Sequence, residues 1–248
     1  MKKQLLTLLA LAVILTSCSK KEPEPEYSLD QTDLELNYDK EHQFTIKLGS
    51  KDINESEFTW TSTDETVGYV STSGLFNAYR IGKTTVKAVG ANVTLTAVIT
   101  VAPYSTLCAE PFIQYGATKS LIKSKETRTL QEETATALYY RGENAKVKNV
   151  LYGFPEGPLH SMVLVFTDTE AVVKESIKFF SERYTYLGIE DDLYLFANVD
   201  SYIGMGYFEK LGFCAIYLKN EEGETGNLQA AKAAMQKSKA ALELQKKR

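Results

Sequence analysis

Histidine is nearly missing from this chain, with His42 and His160 the only two in 248 residues. No second histidine lies near either in sequence, and neither H-E-x-x-H nor a paired C-x-x-C is present, so a zinc site has no ligand set. A G-x-S-x-G elbow and a glycine-rich phosphate loop are also absent. There is no cationic excess: 28 Lys and Arg stand against 32 Asp and Glu, for a formal net charge of −4. Nucleic acid asks for a basic patch and is not an expected partner. Cysteine is scarce too, at Cys18, Cys108 and Cys214. Neither Cys108 nor Cys214 lies at a helix start or among basic residues, so neither makes a thiol nucleophile with His160. Glu190-Asp191-Asp192 is an acidic turn without the spaced oxygen ligands of a calcium loop. These absences predict no cofactor, no metal, no catalytic residues, and a protein that is not an enzyme.

Long apolar runs are missing as well. Leu5 to Leu15 is uncharged and mostly apolar, but it is shorter than the ~20 residues a spanning helix needs. It follows Met1-Lys2-Lys3, as the core of a secretory signal would. It ends in Leu15-Thr16-Ser17-Cys18, which resembles the bacterial lipoprotein box. That resemblance implies cleavage before Cys18, a diacylglycerol thioether on its sulfur and an acylated new amine. One acyl chain holds a membrane only marginally, and two or more hold it stably. Loss of Lys2 and Lys3 with residues 1–17 takes the net charge from −4 to −6. Residues 18–27, rich in Pro and Glu, cannot bury a core and read as a flexible tether. Asp does not follow Cys18, so nothing resembles an inner-membrane retention signal. The acidic run after it loosely resembles the export tags of surface lipoproteins. The expected address is the outer membrane, with the chain surface-exposed or periplasm-facing. In that setting Cys108 and Cys214 could pair, but sequence distance does not say whether they approach. Two buried thiols is the plainer reading.

Residues 28–102 alternate at period two: Phe44, Ile46 and Leu48; Phe58 and Trp60; then Val93, Leu95, Ala97, Ile99 and Val101. Short strands between turn residues predict an all-β sandwich. Within it, Trp60-Thr61-Ser62, Val67, Val70-Ser71, Gly74, Gly82 and Thr84-Thr85-Val86-Lys87-Ala88 carry a pattern. The pattern resembles the bacterial immunoglobulin-like domain, group 2. It departs at Gly68, where the family usually has alanine. The resemblance implies a spacer or adhesion module. Trp60 reads as a core anchor, since Phe58 shares its face; stacking on a sugar is the alternative.

Residues 103–220 mix helical and strand periods. A helix is expected over 117–131, then strands at 137–140, 147–154 and 160–166. A second helix starts in Thr167-Asp168-Thr169-Glu170, with Val172, Val173, Ser176, Ile177 and Phe180 at helical spacing and Tyr184 widening the stripe. Strands at 193–197, 203–208 and 213–218 follow. "VLYGFPEG" at 150–157 sits over "GMGYFEKLG" at 204–212. This predicts an internal duplication of an αβββ unit, the two merging into one antiparallel sheet with both helices on one face. That α+β layout resembles the TATA-binding-protein-like architecture at the level of fold alone. Residues 221–248 read as a C-terminal helix with a thin stripe of Leu228, Ala231, Met235 and Leu242.

Eight tyrosines lie on the candidate strands, among them Tyr139, Tyr186, Tyr194 and Tyr207. Such residues fit half-buried pleated surfaces. The alternative is an aromatic face, away from the helices, that holds a glycan or peptide. The expected function is a non-catalytic cell-envelope lipoprotein that adheres or binds an unknown protein or glycan ligand, with its sandwich as spacer. A structural subunit of an envelope assembly and an enzyme with an unrecognised site are the alternatives.

Overall fold

The computed structural model describes residues 24–244. The leader and Cys18 lie outside the described residues. The N-terminal part contains β1 (Tyr27–Leu29), β2 (Asp33–Asn37), β3 (Glu41–Gln43), β4 (Ile46–Leu48), β5 (Lys51–Ile53), β6 (Thr59–Ser62), β7 (Gly68–Val70), β8 (Leu75–Ala78), β9 (Gly82–Val89) and β10 (Thr94–Ala102). One sheet runs β2-β10-β9-β6, and two smaller ones run β1-β4-β5 and β3-β8-β7. Strand β10 pairs antiparallel with β9 and parallel with β2. The alternation seen in sequence turns Phe44, Ile46, Trp60, Phe76, Val86 and Ile99 into one core. Burial of each such side chain contributes ~1.5–3 kcal/mol.

Trp60 is buried, stacks on Phe44 at 5.8 Å and donates from Nε1 to the Glu55 carbonyl at 2.9 Å. It is therefore a core anchor with no free ring face for a sugar. Gly74, at φ +80°, lies under it: a Cβ there would sit 2.9 Å from Trp60 Cζ2. Gly68 has its own reason. A Cβ on it would sit 2.2 Å from Phe76 Cζ, and Phe76 is fully buried. The departure from alanine at this position is thus matched to a large side chain on the neighbouring strand.

The C-terminal part contains α1 (Lys119–Lys125), β11 (Leu130–Glu133), β12 (Ala137–Asn144), β13 (Val147–Gly153), β14 (Ser161–Phe166), α2 (Glu170–Ser181), β15 (Thr185–Glu190), β16 (Leu193–Ala197), β17 (Ser201–Phe208), β18 (Gly212–Lys219) and α3 (Leu228–Leu244). All eight strands form one sheet in the order β11-β12-β13-β14-β18-β17-β16-β15. Every pairing in it is antiparallel. Each half is a helix followed by four strands, with β14 and β18 meeting at the centre. The expected αβββ unit is one strand short. In each half the missed strand follows the helix. Residues 126–131, expected to continue the first helix, instead leave it at Glu126, and β11 pairs with β12, with Leu130 exposed. Tyr184, placed on the α2 stripe, lies past that helix and leads into β15.

Helices α1 and α2 pack on one face of the sheet. Ile122, Phe179 and Phe180 pack there on Tyr140, Tyr152, Leu164 and Tyr217. Thr118 and Thr169 cap the two helices, accepting from the amides of Leu121 and Val172. Helix α3 covers the opposite face, where Ala231 and Met235 join Leu193, Leu195, Cys214 and Ile216. Cys108 packs with the first cluster and Cys214 with the second, so the sheet separates them, and both thiols are free. The strand tyrosines do not make an aromatic back face. Tyr140, Tyr152 and Tyr217 point into the α1–α2 core, and Tyr202 into the α3 core. No helix among the described residues is long and apolar enough to cross a membrane.

Candidate binding cleft

The residues singled out for chemistry do not converge. His42 donates from Nε2 to the Asp30 carboxylate at 3.0 Å, and His160 stands exposed before β14. Burial pushes the Cys108 and Cys214 thiols up to about 12, which keeps both protonated and poor as nucleophiles. Asp191 and Asp192 take φ of +49° and +63° in the β15–β16 turn, Glu190 is paired with Lys232, and Asp191 accepts from Gln236. The acidic turn is therefore occupied as a seat for α3. No group of His, Cys, Asp or Glu able to hold a metal occurs among the described residues.

A buried polar cluster does occur at the start of the sheet. Arg128 donates to Glu143 at 2.7 and 3.1 Å, to Glu126 at 2.9 and 3.1 Å and to the Ala109 carbonyl at 2.5 Å. Tyr152 donates to Glu126 and accepts from the Phe112 amide. These bonds pin the segment after the sandwich onto β12 and β13. Every partner is a protein group, so the cluster is a staple.

The open site lies where the sandwich meets the sheet. Glu182, fully buried at the end of α2, holds the junction together. Its carboxylate accepts from the Tyr104 amide at 2.9 Å and the Ser105 amide at 3.2 Å, and from Arg183 at 3.3 Å. Its carbonyl accepts from the Ile81 amide at 2.9 Å. Arg80 donates to the Thr185 hydroxyl, and Lys178 lies 4.9 Å over the Tyr104 ring. Charged and buried bonds of this kind fix two bodies in one orientation.

Beside this latch is a cleft of about 410 Å³. The sandwich supplies Tyr38, Glu65, Thr66, Tyr79 and Arg80. The end of α2 and the start of β15 supply Ser181, Tyr184, Thr185 and Tyr186. The turns decide who faces in. Asp64 accepts from the Thr66 hydroxyl at 2.6 Å and its amide at 2.9 Å, setting the β6–β7 turn. Those bonds, the Thr66 hydroxyl foremost, hold the Asp64 carboxyl below its usual range. The Tyr79 and Arg80 amides donate to the Val67 carbonyl, turning both side chains out of the core. Burial lowers the proton affinity of Arg80, and Asp64 and then Tyr38 act the other way. Burial raises Tyr38, with Asp39 and Glu182 adding to it. Tyr79 and Tyr186 are 51% and 50% exposed. Of the cleft residues, only Tyr184 and Tyr186 stand out in the sequence. The signal for the other wall is Tyr79-Arg80, two large side chains just past the apolar strand end at Ala78.

The family model of the bacterial Ig-like domain (group 2) matches residues 25–101, which form such a domain. No curated protein matches the chain. Among solved structures, domains 5–6 of the S-layer protein SbsC align with 82% of this chain and 87% of that one, at 10% identity and a TM-score of 0.28. Domains 4–9 of the surface layer protein SbsC align with 82% of this chain and 28% of that longer one, at 11% identity and a TM-score of 0.27.

Proposed function

We propose that this protein is a non-catalytic, lipid-anchored component of the cell envelope that binds a protein or glycan ligand. Cys18 carries the anchor, residues 18–27 form the tether, and the immunoglobulin-like domain spaces the sheet domain from the membrane. The observation that carries the reading is the cleft at the latched junction. A spacer alone has no need of a fixed angle to the next domain, whereas a site with one wall from each domain does. The lipoprotein-box resemblance and the Ig-like match support the address, the outer membrane with the chain facing outside or the periplasm. The structural-subunit reading loses one of its two routes, because α3 packs its Ala231 and Met235 on its own sheet. The β11 edge, exposed along its length, is the other.

The test is protease and antibody accessibility on intact cells, comparing wild type with Cys18→Ala. Labelled wild type with shed or trapped mutant is the expected result for a surface lipoprotein. Protection until the outer membrane is opened would turn the chain to the periplasm. Identical fractionation of the two proteins as soluble species would overturn the anchor.

A further inference from the structure

We infer that the interdomain cleft is a saccharide site, taking a short stretch of neutral glycan; this rests on the ligand-binding reading above. The lining decides the chemistry. None of its side chains is aliphatic, and every one carries a hydroxyl or a charge. Small-molecule pockets of ~300–1,000 Å³ are ordinarily lined by apolar side chains with a few polar groups. This cleft has the volume without the aliphatic lining, which excludes acyl chains and the apolar anchors of a helical peptide. Glu65 and Arg80 are one charge of each sign, so a polyanion gains no net attraction.

What remains is a ligand that offers hydroxyls along its edges and C–H faces between them. Tyrosine meets both demands, with an apolar ring face and a polar tip. Tyr79 comes from one domain and Tyr186 from the other, and both rings stand half exposed. Among the described residues, the hydroxyls of Tyr38, Tyr79 and Tyr186 and the Glu65 carboxylate have no protein hydrogen-bond partner. Arg80 gives one N–H to Thr185, which fixes the guanidinium and leaves donors for a ligand. A sugar ring stacked on Tyr79 or Tyr186 would place its hydroxyls against Glu65 and Arg80. Because the latch fixes the two walls, little ordering has to accompany binding.

The probe is a panel of neutral α- and β-linked hexose oligomers, with a hexuronate oligomer as the charged control, titrated into the full chain by calorimetry. At least one neutral oligomer is expected to bind, and the hexuronate oligomer is not. Tyr79→Ala and Tyr186→Ala are each expected to weaken binding about tenfold, as loss of an aromatic contact does. Tyr186→Phe, which keeps the ring, is expected to retain most affinity. Tyr207→Ala, an exposed tyrosine outside the cleft, is expected to leave it unchanged. Binding that survives Tyr79→Ala and Tyr186→Ala would place the site elsewhere. Binding of the hexuronate oligomer as tight as the neutral one would overturn the charge argument. No binding by any oligomer would overturn the saccharide assignment, while the envelope reading stands or falls separately on Cys18→Ala. If a protein ligand is instead lost with Tyr186→Ala, the cleft is kept and its class is wrong.

Discussion

The two halves of the eight-stranded sheet, α1 with β11–β14 and α2 with β15–β18, share one topology and are finished differently on their backs. Behind the second half, a Cβ on Gly204 of β17 would meet Met235 of α3 at 2.5 Å, and one on Gly206 would meet Leu193 of β16, which packs with α3, at 2.5 Å. The strand has been stripped of side chains so that a helix can lie close. Behind the first half, Tyr139, Leu151 and Val163 stay half-buried, and α3 lies mainly against β15, β16 and β17. The first half has a different device, the Arg128 cluster on the helix face. One repeat is closed by a helix on its back and the other by a polar staple on its front. A shared topology therefore does not imply shared stabilisation.

The largest effect is expected where the halves share a core. Phe180 packs on Phe166 of β14, on Phe196 of β16 and on Tyr217 of β18, at ring separations of 6.4, 5.6 and 5.9 Å. Phe180→Ala is expected to cost ~3–5 kcal/mol, read as a lowered midpoint in denaturant. Because the ring bridges the halves, both should lose protection together in hydrogen exchange. Loss confined to β15–β18 would show that the halves fold independently.

Next comes the first half's staple. The side chains of Arg128 and Glu126 are 5% and 3% exposed. Arg128→Gln leaves two carboxylates without their cation, and is expected to cost about 3 kcal/mol, near the lower end for breaking a buried pair. Acid tests the same cluster. Burial alone would push the Glu143 carboxyl up, but the Arg128 hydrogen bond and charge hold it below its usual range. A depressed carboxyl stabilises fully above its unfolded value of ~4.3, and the contribution is lost as pH falls through the lower folded value. Wild type is expected to lose stability below pH ~4.3 more steeply than Glu143→Gln. Parallel acid profiles for the two proteins would remove Glu143 from the account.

What the sequence disclosed follows the same division. Strand β16 was legible to the residue, because the apolar run Leu193 to Ala197 is bounded by Asp192 and Asn198. The sandwich was legible through Trp60, Gly74 and Gly82. Strands β11 and β15 were not. All four residues of β11 are exposed, so no period marks it, and only pairing with β12 makes it a strand. Strand β15 begins just past α2, where Tyr184 still falls on the helical stripe. Gly68 carried a message readable only with Phe76 beside it. The cleft was hidden for a plainer reason: Tyr38, Tyr79 and Tyr186 are far apart in sequence and meet only through the Glu182 latch.

A smaller effect is expected at the glycine floor under α3. In Gly206→Ala the new Cβ would lie 2.5 Å from Leu193 Cδ2 and 3.0 Å from the Asp192 carbonyl. The leucine can turn away but the carbonyl cannot, so a cost of ~1–3 kcal/mol is expected, with α3 lifted locally. Proteolysis should then cut α3 before the sheet. Unchanged protection of α3 would mean that glycine is not what seats it.

The smallest effect is expected at the ion pair on the same helix. Lys232 donates to Glu190 at 2.7 Å, and each side chain keeps 30% of its surface in water. Solvent and salt screen such a pair, and holding two long side chains in register offsets much of the attraction. If α3 is seated by Ala231 and Met235 against bare strand, Lys232→Ala should leave the denaturation midpoint within error, and added salt should not separate it from wild type. A clear drop, largest at low ionic strength, would mean that charge and not close packing closes the second half. The contrast with the first half would then be one of degree, since both repeats would be held by ion pairs of different burial.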